Sequence, residues 1–426
     1  AGARRSLDKA RRAPHLRAMA DTSRETRVEL IVVGGGLVGL TLGIACAEAG
    51  IEVAVVDRED PAAMLAEPFD GRTTAIAHGS QQVLSGIGFW PLVAAEAEPI
   101  LEIRVADGGS PFFLHYDHND IGDHPLGYIV ENRVLRRALM ARAAALPSLR
   151  QLAPLAVERV ERALSGATAY LADGSILRGA LVAACDGRNS PLRRAAGIET
   201  LEWTYSQISI VCTVRHEKPH RGVAVEHFLP AGPFAILPMT ENRSSIVWTE
   251  RADLAPRILA LDAAAFAAEL ARRFGDFLGA LEVVGPRFSY ALSLLHAERY
   301  VAPRLALVGD AAHVIHPIAG QGLNLGVRDV AALAELVVDA RRLGLDIADD
   351  SVLERYERWR RFDNVMLAAV TDGLNRLFSN AVPPVKLARD VGLAVVDRLP
   401  PVKRFLMRDA MGVVGELPRL VRGERL

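Results

Sequence analysis

The hydrophobic residues of this chain fall into three successive patterns. In the first, residues 27–33 (RVELIVV) and 51–57 (IEVAVVD) are short, almost continuous apolar runs, separated by a helix-length stretch over 38–50. Runs of that kind suit strands buried on both faces of a parallel sheet, so the pattern predicts a βαβ unit. Residues 79–88 and 132–146 carry helical spacing. In the second pattern, from about residue 155, strand pairs take over: 167–171 and 176–185 flank the turn signal Asp173-Gly174 as a hairpin. Between residues 205 and 250, QISIVCTVR, GVAVEHFLP, PFAILPM and RSSIVWTE alternate or run apolar between prolines and glycines, which predicts a mostly antiparallel sheet. A helix over 263–274 and a short buried strand over 305–308 follow. In the third pattern, beyond Gly320, the chain is mainly helical. The run 30–47 is uncharged for about the length of a membrane span, but its glycine cluster suits strand, turn and helix; no transmembrane segment is expected.

The simplest assembly is an α/β protein. It has a Rossmann-type nucleotide-binding domain built from separated segments, an inserted, mostly antiparallel β-sheet domain for the substrate, and a helical C-terminal part. The expected boundaries are 27–105, 131–200 and 296–350 for the nucleotide-binding domain, 106–130 and 201–295 for the substrate domain, and 351–426 for the helical region. Residues 1–26 are expected to be a basic, disordered extension. In the first twenty residues Arg4, Arg5, Lys9, Arg11, Arg12 and Arg17 stand against Asp8 alone, which reads as a transit-type peptide or as an extension upstream of Met19. The shortage of serine favours the extension.

A formal net charge of −1 over 426 residues gives no reason to expect a nucleic-acid partner. The three cysteines, Cys46, Cys185 and Cys212, show no CxxC spacing, so neither a disulfide framework nor a thiolate metal site is indicated.

Two glycine-rich segments carry candidate chemistry. Gly34, Gly36 and Gly39 of GGGLVGL fit GxGxxG between a strand and a helix, and Asp57 ends the next strand. The first glycine permits the tight turn, the second lets backbone approach a pyrophosphate, and the third lets helix and strand pack closely. The pyrophosphate then faces free N–H groups at the helix start, near Leu37 and Val38, while Asp57 accepts ribose hydroxyls beside Arg58. The plain alternative is a glycine-rich structural turn, and the motif does not separate NAD from FAD.

The second segment, LVGDAAHVIHPIAGQGLNLGVRDV (307–330), is what a longer cofactor needs. Asp310, next to Gly309 at a strand end, can accept a ribityl hydroxyl, a charged hydrogen bond worth about 1.5–3 kcal/mol. Gly320, Gly322, Leu323 and Asn324 open a helix whose free N–H groups can face the flavin N1–C2=O edge, with Pro317 stiffening the approach. A tight strand-to-helix loop is the structural alternative. His313 and His316 have no acid or cysteine at ligand spacing, so no metal is expected.

GGGLVGL, CDGRNSPLR (185–193) and VGDAAHVIHPIAGQGLNLGVRDV together resemble the three motifs of the class A flavin-dependent aromatic hydroxylases. HPIAGQGLNLGVRD, with DGRTTAIAHGS before it and RRFDNVMLAAVTDGLNRLFSN after it, resembles the ubiquinone-biosynthesis branch, over nearly the whole chain from Glu29. The resemblance implies a p-hydroxybenzoate-hydroxylase-like fold, non-covalent FAD, and NAD(P)H consumed without a second Rossmann domain. It also implies O2 divided, through a flavin C4a-hydroperoxide, between water and a hydroxyl on the ring of a polyprenylated phenol. It places Asp186 and Arg188 in a motif serving FAD and pyridine nucleotide, and Arg72 and Arg133 at the cofactor. Asp57 stands where the family more often has Glu. Without the resemblance, Asp186-Gly187 reads equally as an ordinary turn.

Such chemistry needs a dry cavity that positions a phenolate-like ring. The candidate lining is His316, Pro317, Gly320, His227 and Phe234, with Phe228, Ile236 and Leu237 as further walls or as ordinary core. No base is identified: His227 is conceivable, an ordinary strand histidine the alternative. Beyond Ser351, apolar helical stretches carry Arg389, Arg398, Lys403, Arg404, Arg408, Arg419, Arg422 and Arg425. They suggest peripheral contact with the inner face of the cytoplasmic membrane, or the matrix side if the N-terminus is a transit peptide. A packed cap or a subunit interface of a homo-oligomer is the alternative, and a ubiquinone-biosynthesis complex is a further candidate partner. The rival functions are hydroxylation of another small phenolic, a flavin reductase or dehydrogenase, and a non-catalytic quinone-binding scaffold.

Overall fold

The computed structural model describes residues 25–66, 72–108, 113–378 and 396–426. Its base is a six-stranded sheet in the order Val301–Ala302, Leu305–Leu307, Leu181–Ala184, Leu30–Val33, Val53–Val56, Leu149–Leu152. Every pairing is parallel except the first, at the edge. The strands Leu30–Val33 and Val53–Val56 are fully buried, as their unbroken apolar runs demand. Helices Leu37–Glu48, Asn132–Ala144 and Gln321–Arg342 pack around the sheet, the first starting one residue before its predicted stretch and the other two inside theirs.

Two expected strands are each divided. Residues 27–33 split into Glu25–Arg27 and Leu30–Val33, and 176–185 into Ile176–Gly179 and Leu181–Ala184. The two chains cross between sheets side by side: Glu25–Arg27 pairs parallel with Ile176–Gly179 in a four-stranded sheet, then Leu30–Val33 pairs with Leu181–Ala184 in the base sheet. At the crossing the Ala180 N–H donates to the Glu29 carbonyl (2.9 Å), and a Cβ on Gly179 would lie 3.0 Å from Ile31. The first strand thus begins inside the expected N-terminal extension, whose residues 1–24 lie outside the described ones.

An eight-stranded sheet forms the other half. Its order is His313–Val314, Leu281–Ala297, Thr200–His216, Arg243–Arg251, Gly232–Met239, Val223–Leu229, Glu102–Asp107, Phe113–Asp117. Only the contact between Val223–Leu229 and Glu102–Asp107 is parallel. One face packs Phe234, Ile236 and Trp248 against helix Ala263–Phe274, which the Asp262 side chain caps at Ala265 N–H (2.8 Å). The other face turns toward the base sheet. His313–Val314 pairs with Leu295–His296, so the turn after Asp310 is hydrogen-bonded into the second sheet.

The C-terminal helices Asp350–Phe378 and Pro400–Ala410 lie beside Gln321–Arg342 and the cavity between the sheets. Arg389, one of the expected basic residues, is outside the described residues.

Candidate active site

All the parallel strands end at one edge, and the sequence motifs meet there. Gly34 has φ +102°, and a Cβ on it would stand 2.2 Å from the Cys185 carbonyl oxygen; a Cβ on Gly39 would stand 1.8 Å from the Gly34 oxygen. Both positions therefore exclude any side chain. Gly36 differs: nothing lies within 4 Å of its Cβ position, which opens onto the cavity. The helix it precedes has no side-chain cap, so its first N–H groups are left for a ligand. Asp57 is turned onto this loop, accepting from Gly35 N–H (2.6 Å) and Glu59 N–H (2.8 Å). Arg58 is exposed and pairs with Glu59 at 3.2 Å.

The second motif interlocks with the first. Gly309 (φ +62°) faces Val38, 3.1 Å from its Cβ position. Asp310 follows, its carboxylate opening into the cavity without a side-chain hydrogen bond to any described residue. Burial pushes it above the ordinary carboxylate range, against the pull of His313, Arg72 and Arg188. Arg72 lies over the Tyr290 ring at 5.1 Å, and its carbonyl accepts from Asn132 N–H (3.0 Å). Beneath this turn sits a fully buried acid, Asp329. It accepts from Gly309 N–H (3.1 Å), His313 Nε2 (2.6 Å), Arg360 Nε (2.9 Å) and Asn364 Nδ2 (3.2 Å). Burial pushes Asp329 up, but His313 and Arg360 outweigh it and hold the carboxyl well below its usual range.

Two further ties fix the edge. Arg193, buried, donates to the carbonyls of Ala311 (2.8 Å) and Arg188 (2.9 Å), joining the CDGR loop to the Asp310 turn. Asp186 accepts from Leu192 N–H (3.3 Å). Gly320 (φ +61°) opens the helix Gln321–Arg342, and the Asn324 side chain binds both Ala77 N–H (2.9 Å) and the Ala75 carbonyl (2.8 Å).

Between the two sheets runs a cavity of about 1350 Å³. Gly36, Leu37, Val38, Arg72, Arg188 and Asp310 line one end, with Pro317, Gly320, Gly322, Leu323 and Asn324 beside them. Four expected residues lie elsewhere. Phe234 belongs to the core behind the eight-stranded sheet, and His227, its cross-strand partner, shares that face. His316 is sealed edge-on against Tyr205 (5.0 Å), and burial pushes it down to about 4, so it stays neutral and off the cavity. On helix Asn132–Ala144 the lining residues are Asn132 and Arg136, one turn apart; Arg133 is rotated away.

The residue that sequence reasoning missed is Glu226, which lines the cavity from strand Val223–Leu229. The signal was present: Ala224, Glu226 and Phe228 alternate with His227 and share its opposite face. Ser209, Ser245, Thr249 and Ser293 also line the cavity, their hydroxyl oxygens buried and without partners among the described residues.

The comparisons with known proteins agree with this geometry. The FAD binding domain family matches residues 27–367. The chain is 55% identical over 404 residues to ubiquinone hydroxylase UbiL of Rhodospirillum rubrum, covering 94% of each. It is 35% identical over 387 residues to 3-demethoxyubiquinol 3-hydroxylase of Escherichia coli, covering 90% of this chain and 98% of that one. The chain belongs to the ubiquinone-biosynthesis branch of the class A flavin hydroxylases. In fold it is similar to the crystal structure of p-nitrophenol 4-monooxygenase PnpA from Pseudomonas putida, with a TM-score of 0.76 at 21% identity over 94% of this chain and all of that one.

This family member is an FAD-dependent monooxygenase, and NAD(P)H is the family's usual cosubstrate. The residues present fit FAD. An open Gly36 and an uncapped helix start suit a pyrophosphate, a partnerless Asp310 suits a ribityl hydroxyl, and a second uncapped helix start at Gly320 suits the flavin edge.

Proposed function

We propose that the chain hydroxylates the aromatic ring of a polyprenylated phenol on the route to ubiquinone, using FAD, NAD(P)H and O2. The observation that carries this reading is the extent of the cavity. It runs without interruption from Gly36 and Asp310 into an apolar chamber that reaches Leu374 and Leu377 of helix Asp350–Phe378. The names of the relatives point to the same substrate class. Bound FAD supplies the redox chemistry, taking hydride from NAD(P)H and passing one oxygen atom of O2 to the ring.

The chain's own residues do the rest. Asp310 and the Gly36 and Gly320 helix starts hold the cofactor. Val105, Val211, Ala235 and Val247 keep water out, which protects the oxygen transfer from leakage to peroxide. Deleting the gene in its host and profiling quinone precursors by mass spectrometry tests the reading. An under-hydroxylated prenylphenol should accumulate; an unchanged quinone profile rejects the assignment.

The same reading places the protein peripherally on the inner face of the cytoplasmic membrane, within reach of other ubiquinone-biosynthesis proteins. Phe362, Val365, Met366 and Val370 are exposed along helix Asp350–Phe378, as are Leu399, Val402 and Phe405 near helix Pro400–Ala410. Val370 also lines the cavity, so a substrate tail leaving it meets this apolar face. Arg398, Arg404 and Arg408 flank the face and are exposed. Lys403 and Arg419 instead turn inward, Lys403 to Asp120 (3.1 Å) and Arg419 to Glu335 (3.5 Å). Among the described residues no helix is long and apolar enough to cross a membrane.

A further inference from the structure

Glu226 shares the cavity face of its strand with Ala224 and Phe228. Its sheet neighbours on that face are Val105 on one side and Ala235 on the other, both apolar. Opposite them, Leu374 and Phe378 of helix Asp350–Phe378 pack with Phe228 and Val105. The Glu226 side chain forms no hydrogen bond or ion pair with any described residue. A carboxyl so placed is costly to ionise unless its partner arrives with a ligand. Burial is the sole cause that pushes it up, to about 7.

Among the described residues, the positions that face Glu226 from the elements packed against it carry no titratable side chain. The strand Glu102–Asp107 offers Val105, Gly232–Met239 offers Ala235, and the long helix offers Leu374. The other ionisable groups that line the cavity among the described residues are Arg72, Arg136, Cys185, Arg188, Tyr290, Asp310 and His313, which belong to the cofactor-end elements or, as Tyr290 does, lie against Arg72, and Tyr116 and Asp409 toward helix Pro400–Ala410. From Glu226 the same sheet face continues through Ala235 and Val247 to Val211, beside the unpartnered hydroxyls of Ser245 and Ser209.

We propose that Glu226 is the catalytic base that accepts the proton of the substrate's ring hydroxyl while the ring is oxygenated. The inference rests on the phenol reading given above. The proton passes from the ring hydroxyl oxygen to a Glu226 carboxylate oxygen. The O–H bonding pair stays with the ring and drives the ring carbon toward the incoming oxygen atom, which the established FAD, NAD(P)H and O2 chemistry supplies. That carbon then gives its hydrogen as a proton to a water molecule, the C–H bonding pair restores the aromatic ring, and Glu226 returns its proton to the hydroxyl oxygen and is regenerated. A base near pH 7 is matched to this task, because proton transfer is most effective when the catalytic pKa lies near the working pH.

The test uses the FAD holoenzyme with a short-tailed 2-prenylphenol as the probe, at a series of pH values. Glu226→Gln should keep its full flavin content and still oxidise NAD(P)H, but lose hydroxylation by about a hundredfold or more, with peroxide in place of product. The acidic limb of the wild-type hydroxylation profile, centred near pH 7, should vanish in Glu226→Gln and return in part in Glu226→Asp. A Glu226→Gln enzyme that hydroxylates within twofold of wild type, with the limb intact, overturns the assignment. If the wild-type enzyme itself leaves the probe unoxygenated, the phenol reading fails separately. Glu226 is then judged by the holoenzyme's infrared carboxylic-acid band absent from Glu226→Gln: titration near neutral pH supports the assignment, and titration in the ordinary carboxylate range overturns it.

Discussion

Two acids, Asp329 fully buried and Glu226 half-buried at the cavity wall, show how single residues are set to opposite tasks. Asp329 is surrounded by donors and stays ionised; it fixes the Gly309-Asp310 turn from beneath. Replacing it with Asn leaves Arg360, 1% exposed, short of its main counter-charge. Breaking such a pair typically costs about 3–5 kcal/mol. Asp329→Asn should therefore lower the urea midpoint sharply and reduce flavin content, measured on the same preparation. Glu226 has no donors, and burial raises its pKa from 4.5 to about 7. The sign follows from linkage: below pH 4.5 both folded and unfolded chains hold the proton and nothing is lost, whereas above about 7 the folded chain carries an unfavourable buried charge. Glu226→Gln should match wild type in stability near pH 4 and exceed it at pH 8 by up to about 3 kcal/mol, read from denaturation midpoints of the FAD-free protein. Equal stability at both pH values would refute the burial account of this group. The sequence identified no base and offered His227 only as conceivable beside an ordinary strand histidine; the partnership of His227 with Phe234 puts the histidine behind the sheet, and strand parity turns Glu226 to the cavity.

At the scale of elements, the three glycines of the first motif separate binding from folding. Gly36→Ala places a methyl into open cavity space and should cost less than about 1 kcal/mol of stability, yet it obstructs the approach of a pyrophosphate. Gly39→Ala drives a methyl to 1.8 Å from the Gly34 oxygen and should impair folding itself. Thermal unfolding of the FAD-free proteins together with flavin titration separates the two: Gly36→Ala should fold normally and bind FAD weakly. This motif was legible because strand, turn and helix follow one another within 30 residues of chain, each with its own local signal. Helix Ala263–Phe274 was legible for the same reason, with Asp262 as cap and Gly275 at its end. The sheet crossing at Glu29 and Ala180 was not. It depends on two strands some 150 residues apart leaving one sheet for another together, and the polar breaks at Glu29 and at Arg178-Gly179 do not say that the two runs cross as a pair. The parallel docking of Glu102–Asp107 onto Val223–Leu229 is equally non-local.

At the scale of the molecule, one cavity joins three separate stretches of chain, the strand-end loops, the eight-stranded sheet and the C-terminal helices, and its apolar end lies beside an exposed apolar face. Phe362, Met366 and Phe405 belong to that face and not to the cavity lining. The variant Phe362→Ser, Met366→Ser, Phe405→Ser should therefore lose sedimentation with anionic phospholipid vesicles while keeping its turnover of a short-tailed, soluble prenylphenol. Unchanged vesicle binding would move the membrane contact elsewhere. The two motifs that sequence reading assigned to FAD do line one end of this cavity, through Gly36 and Asp310. Its far wall could not be read in advance, because each of its strands contributes only alternate residues and the pairing order is set by the whole fold.

The most direct measurement is turnover of the FAD holoenzyme with NAD(P)H, a short-tailed 2-prenylphenol and isotopically labelled dioxygen, followed by mass spectrometry of the phenol. The account predicts one labelled oxygen atom on the ring for each hydroxyl gained. Consumption of NAD(P)H with all label in peroxide or water, and an unaltered phenol, would contradict it.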